Sequence, residues 1–223
     1  MINDNTKQII KNYTTLLIGL FIMAFGVSLS VRCDLGTTPI SSIPYVLSFQ
    51  YPLSLGTITI IFNVLLILIQ ILILRSKFPR IQIFQIITTT IFGYFIDFAQ
   101  TQTAFIMPHN LFEQSIVCIL GCIVIALGVF FEVNSKAVVL PGEGVSLAVC
   151  SVTDIPFPKM KIIFDTSNVV IALILSFIFF GGLKAVGIGT IFAGIVVGYI
   201  VRIYKKLAVK ILTKAGYDVG NKQ

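Results

Sequence analysis

The chemistry available to this chain is concentrated in one short stretch, Leu140-Pro141-Gly142-Glu143-Gly144. Pro141 and the flanking glycines interrupt a hydrophobic run, and Glu143 carries a carboxylate into it. A carboxylate at membrane depth is costly unless it faces protein, water or a ligand. It could bind a cation, take a coupling proton or hold an amine; the plainer reading pairs it with Lys136, Lys159 or Lys161. A second break, Gly36-Thr37-Thr38-Pro39, lies in the first half of the chain and is followed by Ser41 and Ser42. Broken helices expose backbone N–H groups and the positive end of a dipole, which suits a polar cargo. The same Thr and Pro residues also read as ordinary helix starts.

Further polar positions lie on the flanking apolar segments. Asp165 is four residues after Lys161, a spacing at which the two can pair on one helical face. Asp165 and Asn168 share a face, and Asn63 is the counterpart of Asn168 in the first half. Glu143, Asp165 and Asn168 therefore read as one polar patch. Ser41, Ser42, Thr59 and Asn63 form its neutral mate. Hydrogen bonding between helices is the competing reading for the two asparagines. The binding set expected from sequence is thus Gly36, Thr37, Thr38, Pro39, Ser41, Ser42, Asn63, Pro141, Gly142, Glu143, Gly144, Asp165 and Asn168. There is no nucleophile–base pair, phosphate loop or metal cluster. Neither a catalytic residue, a metal nor another cofactor is expected, and nothing supports an enzyme. Cys118 and Cys122 share a helix face, but His109 is the lone histidine, so the cysteines read as small packing residues.

The elements that must position these residues follow from composition. The 223 residues are 57% hydrophobic and only 11% charged, and mean hydropathy is +1.00. So few charges cannot cover a water-facing surface. The long unbroken apolar runs, such as 58–74 and 169–180, exclude the alternation that a barrel needs. The expected fold is an all-α polytopic membrane bundle with the lipid bilayer as its principal partner. The net charge of +7 is no nucleic-acid footprint, because the basic residues sit at helix ends where they set topology. No cleavable signal peptide is evident.

Six spans are expected at 14–31, 57–74, 81–98, 115–133, 160–180 and 185–204. Two shorter apolar segments, 40–49 and 145–152, are too short to cross and read as re-entrant or broken helices. Residues 1–13 read as a polar tail, 99–114 as a connector lacking Lys and Arg, and 205–223 as a basic tail. The halves 14–98 and 115–204 match each other. Gly19, Ala24, Gly26, Val27 and Pro39 recur at one constant spacing as Gly121, Ala126, Gly128, Val129 and Pro141. At a slightly longer spacing Asn63-Val64 and Gly93-Tyr94 recur as Asn168-Val169 and Gly198-Tyr199. With three spans in each repeat, the second must insert upside down. Placing both termini in the cytoplasm puts Arg75, Lys77 and Arg80 inside, with only Arg32 and Lys184 on the wrong side.

Three stretches together resemble a known family: Asp34-Leu35-Gly36-Thr37-Thr38-Pro39, Leu140-Pro141-Gly142-Glu143-Gly144, and Gly187-Ile188-Gly189-Thr190 before Gly198. They are similar to the YczE/YyaS/YitT-like bacterial integral membrane proteins, over roughly Thr14 to Tyr204. The resemblance implies a small multi-pass protein of the bacterial cytoplasmic membrane and supplies no substrate or binding residue. The functional expectation is a secondary transporter of a small polar solute or ion, with Glu143 as its coupling or cation-binding acid. A membrane accessory or scaffold protein and a channel with two re-entrant helices are the rival readings. A homodimer is compatible with a bundle of so few spans.

Overall fold

The computed structural model describes residues 4–214. Within them the chain forms eight α-helices and no strand: α1 (Asp4–Arg32), α2 (Pro39–Gln50), α3 (Leu55–Leu74), α4 (Gln85–Gln102), α5 (Leu111–Ser135), α6 (Pro141–Val152), α7 (Phe157–Phe180) and α8 (Ile188–Lys214). Six of these are long and apolar enough to cross a membrane. The exceptions are α2 and α6, with 12 residues each. At about 1.5 Å per residue they reach little more than half of a roughly 30 Å hydrocarbon core.

Several boundaries differ from those expected. The N-terminal tail is helical from Asp4, because no Gly or Pro interrupts the chain before Gly19 and its polar residues tolerate a helix. The third span begins only at Gln85, after two 3-10 turns at Arg75–Lys77 and Arg80–Phe84. It then runs on to Gln102, shortening the connector. At the connector's other end Asn110 and Glu113 start α5 early. The Asn110 Oδ1 accepts the Glu113 N–H at 2.9 Å, and the Glu113 carboxylate accepts the His109 N–H at 2.7 Å, a reciprocal cap. The basic tail continues α8 to Lys214; its remainder, 215–223, lies outside the described residues.

The bundle is centred on an antiparallel crossing of α1 and α5. Gly19 meets Gly128 and Gly26 meets Gly121 and Ile125, backbone against backbone. A Cβ on Gly19 would stand 2.9 Å from the Gly128 carbonyl, and one on Gly128 would stand 2.7 Å from the Gly19 carbonyl. Between helices in lipid there is no water to expel, so close packing of this kind supplies the attraction. Leu16, Leu20 and Ile96 are fully buried beside it.

The other helices pair around this axis. α4 packs on α1 and α8 on α5; α7 packs on α2 and α3 on α6. The second apolar cluster, including Val46, Phe62, Val145 and Phe164, fills the space between these last four.

Two ends of the bundle can be told apart. One carries the Arg75–Phe84 turns and is called here the basic end. At the opposite end the Arg32 Nη2 donates to the Gln100 carbonyl at 2.8 Å, tying α1 to α4. Asp97 there accepts from the Gly56 N–H at 2.7 Å and the Ser54 hydroxyl at 2.6 Å, capping α3. Lys184, on the loop between α7 and α8, lies over the rings of Phe180 and Phe49 at 4.8 and 5.2 Å. Those rings give a cation at this end an attractive partner.

Candidate functional site

The two short helices begin inside the bundle. After α1 ends, the chain runs back along α8. The Leu35 carbonyl accepts the Gly189 N–H at 2.8 Å, and Pro39 packs against Gly194 further along the same helix. Gly36 permits this course with a φ of +101° and no room for a side chain against Gly187 and Thr190. From Pro39 the chain turns helical and leaves towards Ser54, at the end from which it came. α6 does the reverse. It starts at Pro141 and leaves towards α7 at the basic end. The beginnings of the two helices touch, since Gly142 lies directly against Ile40.

Neither start has a side-chain cap. In α2 the Thr38 hydroxyl donates to the Ser41 hydroxyl at 3.0 Å. In α6 the first turn carries Glu143, whose charge complements the helix dipole. Among the described residues Glu143 makes no hydrogen bond and no ion pair.

A cavity of about 430 Å³ opens where these helix starts meet. Of the residues singled out from sequence, Thr38, Pro39, Ser41, Thr59, Asn63, Glu143 and Asp165 line it. The others lie behind its wall. Thr37 is buried and bonds to the Ser30 hydroxyl at 2.8 Å. Ser42 donates to the Pro39 carbonyl at 2.6 Å and to the Asn168 carbonyl at 3.4 Å. Asn168 is buried, and its amide donates to the Phe164 carbonyl within its own helix at 2.8 Å. The Pro141 carbonyl accepts from the Gln70 amide at 3.3 Å, and Gly144 packs on that same amide. Gly36 packs on α8 and Gly142 on α2.

The cavity also holds charges that sequence reasoning passed over. Glu132, three residues before the end of α5, is 5% exposed and lines the wall. Its Oε1 accepts the Leu140 N–H at 3.1 Å. This bond fixes the residue immediately before α6. The other oxygen, Oε2, has no hydrogen-bond partner among the described residues. Lys161 and Asp165, whose pairing the spacing did predict, also face the cavity, with Nζ and Oδ1 2.9 Å apart. Arg202 of α8 is exposed at its edge. Most of the remaining wall is carbon, from side chains such as Met23, Phe62, Phe92, Ile125 and Val129.

Behind α6 lies a second polar feature. Gln70 of α3 and Gln85 of α4 are fully buried and bond to each other through their amides, at 3.1 and 3.4 Å. With the Pro141 carbonyl they form a polar support for α6.

The cysteines make no disulfide. Cys33, Cys118 and Cys122 are buried and Cys150 is half-buried. Among the described residues no cluster of His, Cys, Asp or Glu is arranged to hold a metal.

Fold and cavity together define a multi-pass α-helical membrane protein with a central, partly charged chamber. The model of a family of unknown function, DUF6198, matches residues 10–206, and the chain belongs to that family. It is also similar to the uncharacterized protein YyaS of Bacillus subtilis. The two are 26% identical over 191 residues, covering 84% of this chain and 89% of the relative. No solved structure matches.

Proposed function

We propose that the protein is a secondary transporter of a small polar solute or ion, and not an enzyme. The observation that carries this reading is the cavity at the touching starts of α2 and α6, into which Glu143 projects without a bonded partner. Paired interrupted helices around a midplane chamber are a recurring transporter arrangement.

Helix pairing supports two inverted repeats, α1–α4 and α5–α8. Exchange the halves and several contacts map onto one another: α1 with α4 becomes α5 with α8, and α2 with α7 becomes α6 with α3, whereas the packing of α3 on α4 has no counterpart of its extent between α7 and α8. The crossing of Gly19 with Gly128 becomes that of Gly121 with Gly26. In this reading both termini are cytoplasmic, the membrane is the bacterial cytoplasmic membrane, and the chamber's acidic part lies on the cytoplasmic side of its centre. Rocking of one repeat against the other would expose the chamber to each side in turn.

Uptake into proteoliposomes tests the proposal. The wild type should show saturable, time-dependent accumulation for at least one member of a broad solute panel, and Glu143→Gln should lose it while melting at the same temperature. Flux that does not saturate would favour a channel. A folded protein that moves nothing across the panel would favour a scaffold.

A further inference from the structure

We infer that the chamber selects an organic cation with an apolar body, held by the carboxyl groups of Glu132 and Glu143. This rests on the transporter reading for its biological use but not for its binding chemistry.

The argument begins with which charges are already neutralised. Lys161 is paired with Asp165 at 2.9 Å. Glu132 and Glu143 have no ion pair among the described residues, although both line the same wall. Glu132 is 5% exposed, with one oxygen bonded to the Leu140 N–H and the other left over. Buried carboxylates ordinarily sit with a cation or a full set of donors. The missing partner here is therefore a donor-rich cation that arrives and leaves.

An anion fits worse. It would have to share the chamber with both carboxyls, while Lys161 is already engaged and Arg202, the other cation of the wall, sits exposed at the cavity's edge. The uncapped start of α2 offers only a partial positive charge, and the Thr38–Ser41 pair beside it is neutral. A bare metal ion also fits worse. Its shell wants about six or more oxygens, yet Phe62, Phe92, Ile125 and Val129 make much of the wall carbon. A chamber of about 430 Å³ suits a small molecule with an amine at one end and an aliphatic or aromatic body at the other.

Three probes of nearly equal shape separate these choices: phenylbutylamine, phenylbutanol and phenylbutyrate. Binding to the purified full chain in detergent is followed by calorimetry, with melting temperature as a second readout. Saturable binding of the amine is expected, with the alcohol and the acid weaker by about tenfold or more, the loss of one charge-assisted hydrogen bond. Glu132→Gln and Glu143→Gln should each weaken the amine by a similar factor. Asp154→Asn, on the exposed turn after α6, should leave it unchanged. Glu143→Gln breaks no hydrogen bond of the fold, so it remains informative should Glu132→Gln unfold. No binding of the amine, equal binding of all three probes, tighter binding of the acid, or indifference of folded Glu143→Gln would each overturn the inference. Saturable amine binding without uptake would remove the transporter reading and leave this one standing. Saturable uptake of a neutral or anionic solute that the amine does not compete would do the opposite.

Discussion

Glu132 and Leu140 are joined by a hydrogen bond of 3.1 Å from the Leu140 N–H to the Glu132 carboxyl, so an acid of α5 holds the start of α6. The two parts of the chamber's acidic wall are thereby coupled: moving Glu132 moves the start of the helix that carries Glu143. Glu132→Ala should leave the Leu140 N–H without an acceptor and destabilise the protein by about 1–3 kcal/mol. Glu132→Gln keeps an oxygen in place and should cost much less. Thermal melting in detergent measures both. Equal losses for the two variants would mean that the bond contributes nothing.

The Gln70–Gln85 pair supplies a second test of how α6 is supported. Gln70→Leu strands the Gln85 amide and removes the donor to the Pro141 carbonyl. Gln85→Leu strands only the Gln70 Oε1, since the Gln70 amide N–H still meets the Pro141 carbonyl. The double variant removes both amides together, so its cost should be smaller than the sum of the singles by about 0.5–3 kcal/mol. A double-mutant cycle on melting curves gives the coupling directly, and additive losses would show that the reciprocal bonds are not formed.

The glycine crossing is the third. Gly128→Val places a branched side chain on the Gly19 carbonyl and the Met23 backbone, from which even a Cβ would stand only 2.6–2.7 Å. Relief requires α1 and α5 to separate. We expect a loss of about 1–3 kcal/mol, the usual range for overpacking. Gly198→Ala, where a Cβ would meet nothing within 4 Å, should be near neutral in melting temperature.

These positions differ in how readily sequence reveals them. The two short helices were legible because Pro39 and Pro141 fix helix starts whatever surrounds them, and because their apolar runs are too short to span. The glycines of the crossing were legible because Gly19 and Gly26 recur in the second half as Gly121 and Gly128. Glu132 was not, although it had a signal: a lone carboxyl in Phe130-Phe131-Glu132-Val133, inside one of the most apolar spans. Attention to hydropathy absorbs such a residue into the span, whereas the cost of a charge at that depth should have flagged it. Gln70 and Gln85 lie 15 residues apart on different helices, and nothing local says that they meet. Asn168 shares a sequence face with Asp165, yet its amide folds back on its own helix. Which side of a face a polar group uses depends on neighbours that the sequence does not name. The role of Asp97 as the cap of α3 needed the packing of α4 against that helix.

Orientation in the membrane is open to labelling in intact cells. Ser76, Ala104 and Lys210 are exposed and lie on the Arg75–Lys77 turn, the connector after α4, and the distal part of α8. The native thiols are buried or half-buried, so a background lacking Cys150 should be quiet. In that background Ala104→Cys should react with an impermeant maleimide added outside. Ser76→Cys and Lys210→Cys should react only after the cells are permeabilised. The reason is electrostatic: Arg75, Lys77 and Arg80 beside Ser76, and Lys205 and Lys206 before Lys210, resist translocation. Labelling of Ser76→Cys and Lys210→Cys from opposite sides would break the three-plus-three arrangement itself. Labelling of both from outside would keep the fold and turn the whole bundle over, moving the acidic part of the chamber to the external side of its centre.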